Sequence, residues 1–156
     1  MSGGIGPRRR GRELVFRLIY QADLTHDGIA ALWQAAKGDE RLPEEAREYV
    51  EALVGALEDG LPDLDRRIEG ALERWTLERL AVTDRSVLRL ATAEFAFLPG
   101  TPARVILDEA VAIARKYGRE ESGKFVNGVL DRLARELRPG ELEETPEGRG
   151  AAGEGA

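Results

Sequence analysis

The sequence predicts an all-α protein, a single domain of about seven helices. Three observations carry this. Apolar residues recur at helical spacing through most of residues 7–138, and proline or glycine punctuates most of the periodic runs. No run of β-branched residues alternates with period 2 between turn signals, so no strand is expected. The chain has 156 residues, the length of one domain, enough to bury a sizeable core, and it has no cysteine with which to staple one.

The elements follow in order. Pro7 suits the first position of a helix, and residues 8–24 place Leu14, Val15, Leu18, Ile19 and Ala22 on one broad face. Asp27 and Gly28 end it. A short helix over 29–37 stops at Gly38. Pro43 opens a helix over 44–58, with Ala46, Val50, Leu53, Val54 and Leu57 in phase, and Gly60 closes it. Pro62 opens the next, with Leu64, Ile68, Ala71, Leu72 and Trp75 in phase. Thr76 and Thr83 stand where N-caps belong. Residues 84–98 carry a stripe of Val87, Leu88, Ala91 and Phe95, broken by Pro99 and Gly100. Pro102 starts a helix with Ile106, Ala110, Ile113, Ala114 and Tyr117, and Gly118 fits its C′ position. The last helix, over about 120–137, aligns Val126, Val129, Leu130, Leu133 and Leu137 and stops before Pro139.

The net charge of −6 speaks at first against a nucleic-acid partner. Its distribution changes that. Residues 1–20 hold Arg8, Arg9, Arg10, Arg12 and Arg17 against Glu13 alone. Residues 139–156 hold five glutamates against Arg149, with five glycines, two prolines and Leu142 as the one large apolar side chain. That composition cannot bury enough surface to offset ordering entropy, so a disordered acidic Gly/Glu-rich tail is expected there. Residues 1–6 are expected to be a flexible lead and 7–138 the folded domain.

Several chemistries have nothing to stand on. A single histidine, His26, sits in an inter-helix turn, which excludes a multi-histidine metal site. Gly3, Gly4 and Gly6 follow no strand, so they make no phosphate loop. Glu44, Glu45, Glu120 and Glu121 open helices, where negative charge complements the macrodipole. Ser2, Ser86 and Ser122 have no histidine placed to activate them. Neither an enzyme nor a cofactor is expected. No apolar run reaches the roughly 20 residues of a membrane span, and the basic start lacks the apolar core of a secretory leader, so a cytoplasmic protein is expected.

Two segments do carry chemistry. The arginines sit in the first turns of a helix, where positive charge opposes the macrodipole by roughly 0.3–1 kcal/mol each at exposed sites. Arginines kept against that cost suggest an anionic partner. Arg8, Arg9 and Arg12 share a flank with Phe16 and Tyr20, and guanidiniums and aromatic rings both suit phosphates and unpaired bases. A solvated arginine face with Phe16 in the core explains the same pattern. The second segment is GREESGKFVNGVLDR, from Gly118. Phe125 falls at the edge of the apolar stripe beside Lys124, either a peripheral core residue or a stacking platform. Gly128, disfavoured in a helix interior, allows the close approach of another helix or of a ligand.

Read together, PRRRGRELVFRLIYQADL and KYGREESGKFVNGVLDRLAREL resemble the NusB family of bacterial transcription antitermination factors. ERWTLERLAVTDRSVLRLATAEF and TPARVILDEAVAIA resemble its central helices, so the resemblance covers about 7–138, with KFVNGVLD the most specific run. It implies two helical bundles and the binding of boxA, a single-stranded RNA element, together with the ribosomal protein NusE. It implies a place in the RNA polymerase antitermination complex, notably on ribosomal RNA operons. By the same resemblance Arg8, Arg9 and Arg12 contact RNA phosphates, Phe125 contacts a base with Lys124 and Glu121 at the same site, and Tyr20, Glu78 and Asp84 face NusE. Gly123 stands where the pattern has histidine, and Asp108 where asparagine is common. A helical protein-interaction or ribosome-assembly factor with incidental RNA contact is the other reading.

Overall fold

The computed structural model describes residues 6–142. They form six α-helices and one 3-10 turn: α1 (Pro7–Thr25), α2 (Ile29–Ala36), α3 (Glu44–Ala71), the turn Leu77–Arg79, α4 (Val82–Phe97), α5 (Ala103–Tyr117) and α6 (Ser122–Leu137). Helices α1, α2 and α3 pack as one group, and α4, α5 and α6 as a second. Helix α4 joins them, packing on α1, α3, α5 and α6, and from Ser86 to Phe95 only Arg89 escapes full burial. One continuous apolar core runs through both groups, from Leu14 and Val15 through Leu53, Ile68 and Leu88 to Leu130 and Leu133.

Two expected helices are one. α3 runs 28 residues, straight through Gly60 and Pro62. A proline in a helix interior loses one backbone hydrogen bond and crowds the carbonyl four residues back. Packing on both sides overrides this, because Leu57, Leu64 and Ile68 are all buried on the same face. The helix ends at Ala71, so Trp75 is not its last apolar residue but lies beyond it, half-exposed.

The expected caps also shift. Thr83 lies inside α4, whose N-cap is Ala81, and Thr76 makes no side-chain cap bond. Gly118 does end α5, but in extended backbone rather than a left-handed turn. Glycine is needed there for space: a Cβ would sit 2.6 Å from Ser122 Oγ and 2.7 Å from the Ala114 carbonyl oxygen.

Residues 139–142, expected in the tail, join the body instead. Arg138 donates to the carbonyls of Phe95, Leu98 and Thr101, satisfying the open end of α4 and the loop after it. Its guanidinium also meets Glu141, whose Oε1 accepts the Ala103 N–H at the start of α5. Leu142 is buried in the core. A capping acid reads in sequence like one more glutamate of an acidic run. The expected lead at 1–5 and tail at 143–156 lie outside the described residues.

Candidate nucleic-acid interface

The first turns of α1 set three arginines at three depths. Arg8 is exposed, donates to Thr101 Oγ1 at 3.0 Å and lies over the Tyr49 ring, 5.3 Å from its centroid. Arg9 is half-exposed and holds Glu109 of α5 through two hydrogen bonds of 3.0 and 2.8 Å. Arg12 is buried, with two hydrogen bonds of 2.7 and 3.0 Å to Glu94 of α4. Its expected phosphate contact is therefore corrected: its guanidinium faces an internal carboxylate, and the side chain is only 4% exposed. The periodicity of α1 turns Arg12 onto the same inward side as Val15 and Ile19.

The electrostatics follow from these contacts. Burial works against the charged form of Arg12, but the hydrogen bonds and charge of Glu94 outweigh it and raise its pKa. Burial, and then the Glu94 carboxylate, push the Tyr49 hydroxyl upward, so it stays protonated and donates to Glu94 at 2.8 Å. The hydrogen bond from Arg9 holds the Glu109 carboxyl below the ordinary glutamate range. The anions that the arginine run called for are thus, in the first place, inside the chain.

Tyr20, Glu78 and Asp84 lie on α1, the 3-10 turn and the first turn of α4. Arg85 ties these three elements together. It donates to Asp23 at 2.7 Å and to the carbonyls of Leu77 and Leu80 on either side of Glu78. Glu78 is exposed. Asp84 is partly buried, and its Oδ1 has no hydrogen-bond partner among the described residues. Phe16 is core, as one reading had it, while Tyr20 is half-buried. Phe16 is in ring contact with both Tyr20 and Tyr117, with centroids 6.1 and 5.1 Å away.

At the other end, Glu121 is the exposed N-cap residue of α6, and Lys124 and Phe125 follow in its first turn. Phe125 is half-buried and packs on the core edge while lining a groove of about 290 Å³ with Lys124. Gly123 is buried. A Cβ there would come within 2.9 Å of Arg115 Cγ and Nε, so the arginine stem from α5 occupies the space beside it.

Sequence reasoning missed Arg74, Trp75, Tyr117 and Arg115 as surface chemistry. The helical spacing of Trp75 and Tyr117 points to the core, and the signal against it is weak: each stands at the end of its run. Arg74 and Trp75 line the same groove as Phe125. Among the described residues no group of histidine, cysteine and acidic side chains could hold a metal, and no helix is long and apolar enough to cross a membrane.

The fold and this surface define a class: a two-bundle helical protein with exposed arginines in the first turn of α1 and a lysine beside an aromatic ring in the first turn of α6. The model of the NusB family matches residues 9–135. A curated transcription antitermination protein NusB of Thermotoga sp. (strain RQ2) is 42% identical over 135 residues, covering 86% of this chain and 95% of that protein. The solved structure of T. maritima NusB superposes with a TM-score of 0.80 at 39% identity, over 91% of this chain and all of that one. A structure of the antitermination factors NusB and NusE in complex with dsRNA gives a TM-score of 0.76 at 29% identity, over 83% of this chain and 97% of that one. The chain belongs to the NusB family.

Proposed function

We propose that this protein is a transcription antitermination factor that binds boxA-type single-stranded RNA together with NusE and joins RNA polymerase, notably on ribosomal RNA operons. The observation that carries the reading is at the start of α6: within KFVNGVLD, Lys124 is open to solvent beside a Phe125 that lines a groove. Arg8 and Arg9 meet RNA phosphates, and Arg12 lies behind them as part of the buried framework. Phe125 meets a base, with Lys124 and Glu121 alongside. Tyr20, Glu78 and Asp84 face NusE. The reading assigns no catalytic step and no cofactor, and it places the protein in the cytoplasm.

A small basic patch on a body of net negative charge favours weak RNA binding by the chain alone and tighter binding with a partner. Fluorescence anisotropy on a boxA-like single strand, with and without NusE and across a salt series, tests this. Affinity falls as salt rises and increases with NusE. The double variant Arg8→Ala/Arg9→Ala shallows the log–log salt slope by roughly 1.4, the value for two lost contacts to a single strand. A double variant that binds like the parent at every salt concentration removes the arginine assignment. A chain that binds NusE but no RNA under any condition returns the protein to the interaction-factor reading.

A further inference from the structure

We propose that the acidic segment 143–156 is an intramolecular competitor for RNA, docking its glutamates on Arg8 of α1 and Arg104 of α5. This rests on the reading that Arg8 meets an RNA phosphate. It adds a regulation to that site: the phosphate must displace a carboxylate of the same chain.

The first observation is where the folded body ends. Leu142 is buried, and Glu141 accepts the Ala103 N–H at 2.8 Å. Arg138 donates to the Thr101 carbonyl at 3.1 Å, and the Thr101 hydroxyl accepts from Arg8 at 3.0 Å. Thr101 thus stands between the last residues of the body and Arg8. Arg104 directly follows the capped Ala103. The chain therefore leaves the body beside these two arginines. Glu143 and Glu144 come next, and Glu147 follows within a reach of roughly 17 Å from Leu142.

The second observation is charge on both sides of the contact. Arg9, Arg12, Arg85, Arg89 and Arg132 each hold a carboxylate at 2.7 to 2.9 Å. Arg8 and Arg104 do not. Their ion-pair contacts are 4.0 Å to Glu45 and 3.7 Å to Asp108, on side chains 46% and 58% exposed. Helix α5 has no acid in its own first turn, where the macrodipole favours one, and takes Glu141 from the C-terminal side instead. Segment 143–156 holds Glu143, Glu144, Glu147 and Glu154 against Arg149, with no large apolar side chain. Charge is therefore what it docks with, and two arginines without a close carboxylate are its complement.

The third argument is the tether. One exposed ion pair is weak and is screened by salt. Joined to the body without a spacer, these glutamates meet the arginines at an effective concentration on the order of millimolar. That excludes an RNA held by few phosphates and yields to one held by further contacts, such as those made with NusE. The segment thus favours the specific complex over loose binding to unrelated RNA.

The full-length chain with Glu143, Glu144, Glu147 and Glu154 all changed to Gln keeps Glu141 and Leu142, and so the folded body. In fluorescence anisotropy at low salt it binds an unrelated single-stranded RNA roughly 3- to 10-fold more tightly than the parent. The gain disappears when both chains carry Arg8→Ala/Arg104→Ala. Docking is read without RNA. The chain has no cysteine, so Ala151→Cys takes a single nitroxide label. Its paramagnetic broadening falls on the amides of the first turns of α1 and α5. It disperses in the neutralised chain, and at about 1 M salt, where the Debye length is about 3 Å. Equal RNA binding by the parent and neutralised chains overturns the proposal and leaves the RNA reading standing. A gain that persists without the two arginines is repulsion at a distance and also overturns it. So does broadening that ignores salt, or that weakens on dilution and so belongs to a contact between copies. If no chain binds RNA, with or without NusE, the RNA reading fails and the competition with it, and the label separates that result from a failure to dock.

Discussion

The Arg12 guanidinium and the Glu94 carboxylate meet inside the protein through two hydrogen bonds, 2.7 and 3.0 Å long, with side chains 4% and 1% exposed. The Tyr49 hydroxyl completes the group at 2.8 Å from Glu94. This links α1, α3 and α4 at the junction of the two bundles. A buried pair of this kind contributes little over an apolar replacement, but breaking it leaves a buried charge without its counterpart.

Arg12→Ala therefore destabilises the fold by about 3–5 kcal/mol. Urea unfolding checks the value. The double variant Arg12→Met/Glu94→Leu recovers most of the loss, because no charge is then left buried. If Arg12→Ala unfolds like the parent, the pair carries no structural load. Any RNA-binding defect of Arg12→Ala follows the unfolded fraction and vanishes when the assay is corrected for it.

Glu109 occupies the guanidinium of Arg9 with the geometry a phosphate would use. An RNA phosphate must displace it. Glu109→Gln keeps the shape and removes the competing charge, so the Arg9 phosphate contact forms without displacing a carboxylate and RNA binds more tightly. Unchanged affinity in anisotropy would show that Arg9 stays bound to Glu109 in the complex.

The same contact sets an acid dependence. The Glu109 carboxyl titrates below its unfolded value because Arg9 holds the ionised form. A group with a depressed folded pKa contributes stability above its unfolded pKa and loses it as pH falls through the folded value. Thermal unfolding between neutral pH and pH 3 therefore shows a stability loss that begins in the ordinary glutamate range. In Glu109→Gln this part of the loss is absent, and the difference between the two curves stays modest because the pair is partly solvated.

The end of the folded body gives a sharp comparison. A chain ending at Arg138 lacks Glu141, which accepts the Ala103 N–H and pairs Arg138, and lacks the buried Leu142. It unfolds more easily than a chain ending at Leu142, by roughly 1 kcal/mol for the cap and a further 1.5–3 kcal/mol for the leucine. Differential scanning calorimetry of the two truncations measures the gap. Equal midpoints would return the boundary to residue 138.

Much of the fold was legible in the residues because most of the helices have their own punctuation. Pro7 and Pro102 start helices where the periodicity says they should, and the apolar stripe of α6 is buried almost as spaced. The failures share one cause. Gly60 and Pro62 are local signals against a helix, and the burial of Leu57, Leu64 and Ile68 on both sides of them is a tertiary term that local signals do not contain. Glu141 looked like one acid of a tail, and only its position beneath the start of α5 makes it a cap.

The interface divides along the same line. The sequence by itself determined the helical class, the basic first turns of α1 and the KFVNGVLD run with Lys124 and Phe125, because these rest on residue type and on spacing along one helix. The tertiary structure alone decided which charges are free. Arg8, Arg9 and Arg12 are near neighbours in sequence, but a helix turns about 100° per residue, so consecutive side chains point to different surroundings. Glu94 and Glu109, about a hundred residues away in the chain or somewhat less, reach Arg12 and Arg9 only after α4 and α5 pack on α1. That packing also leaves Trp75 outside the core.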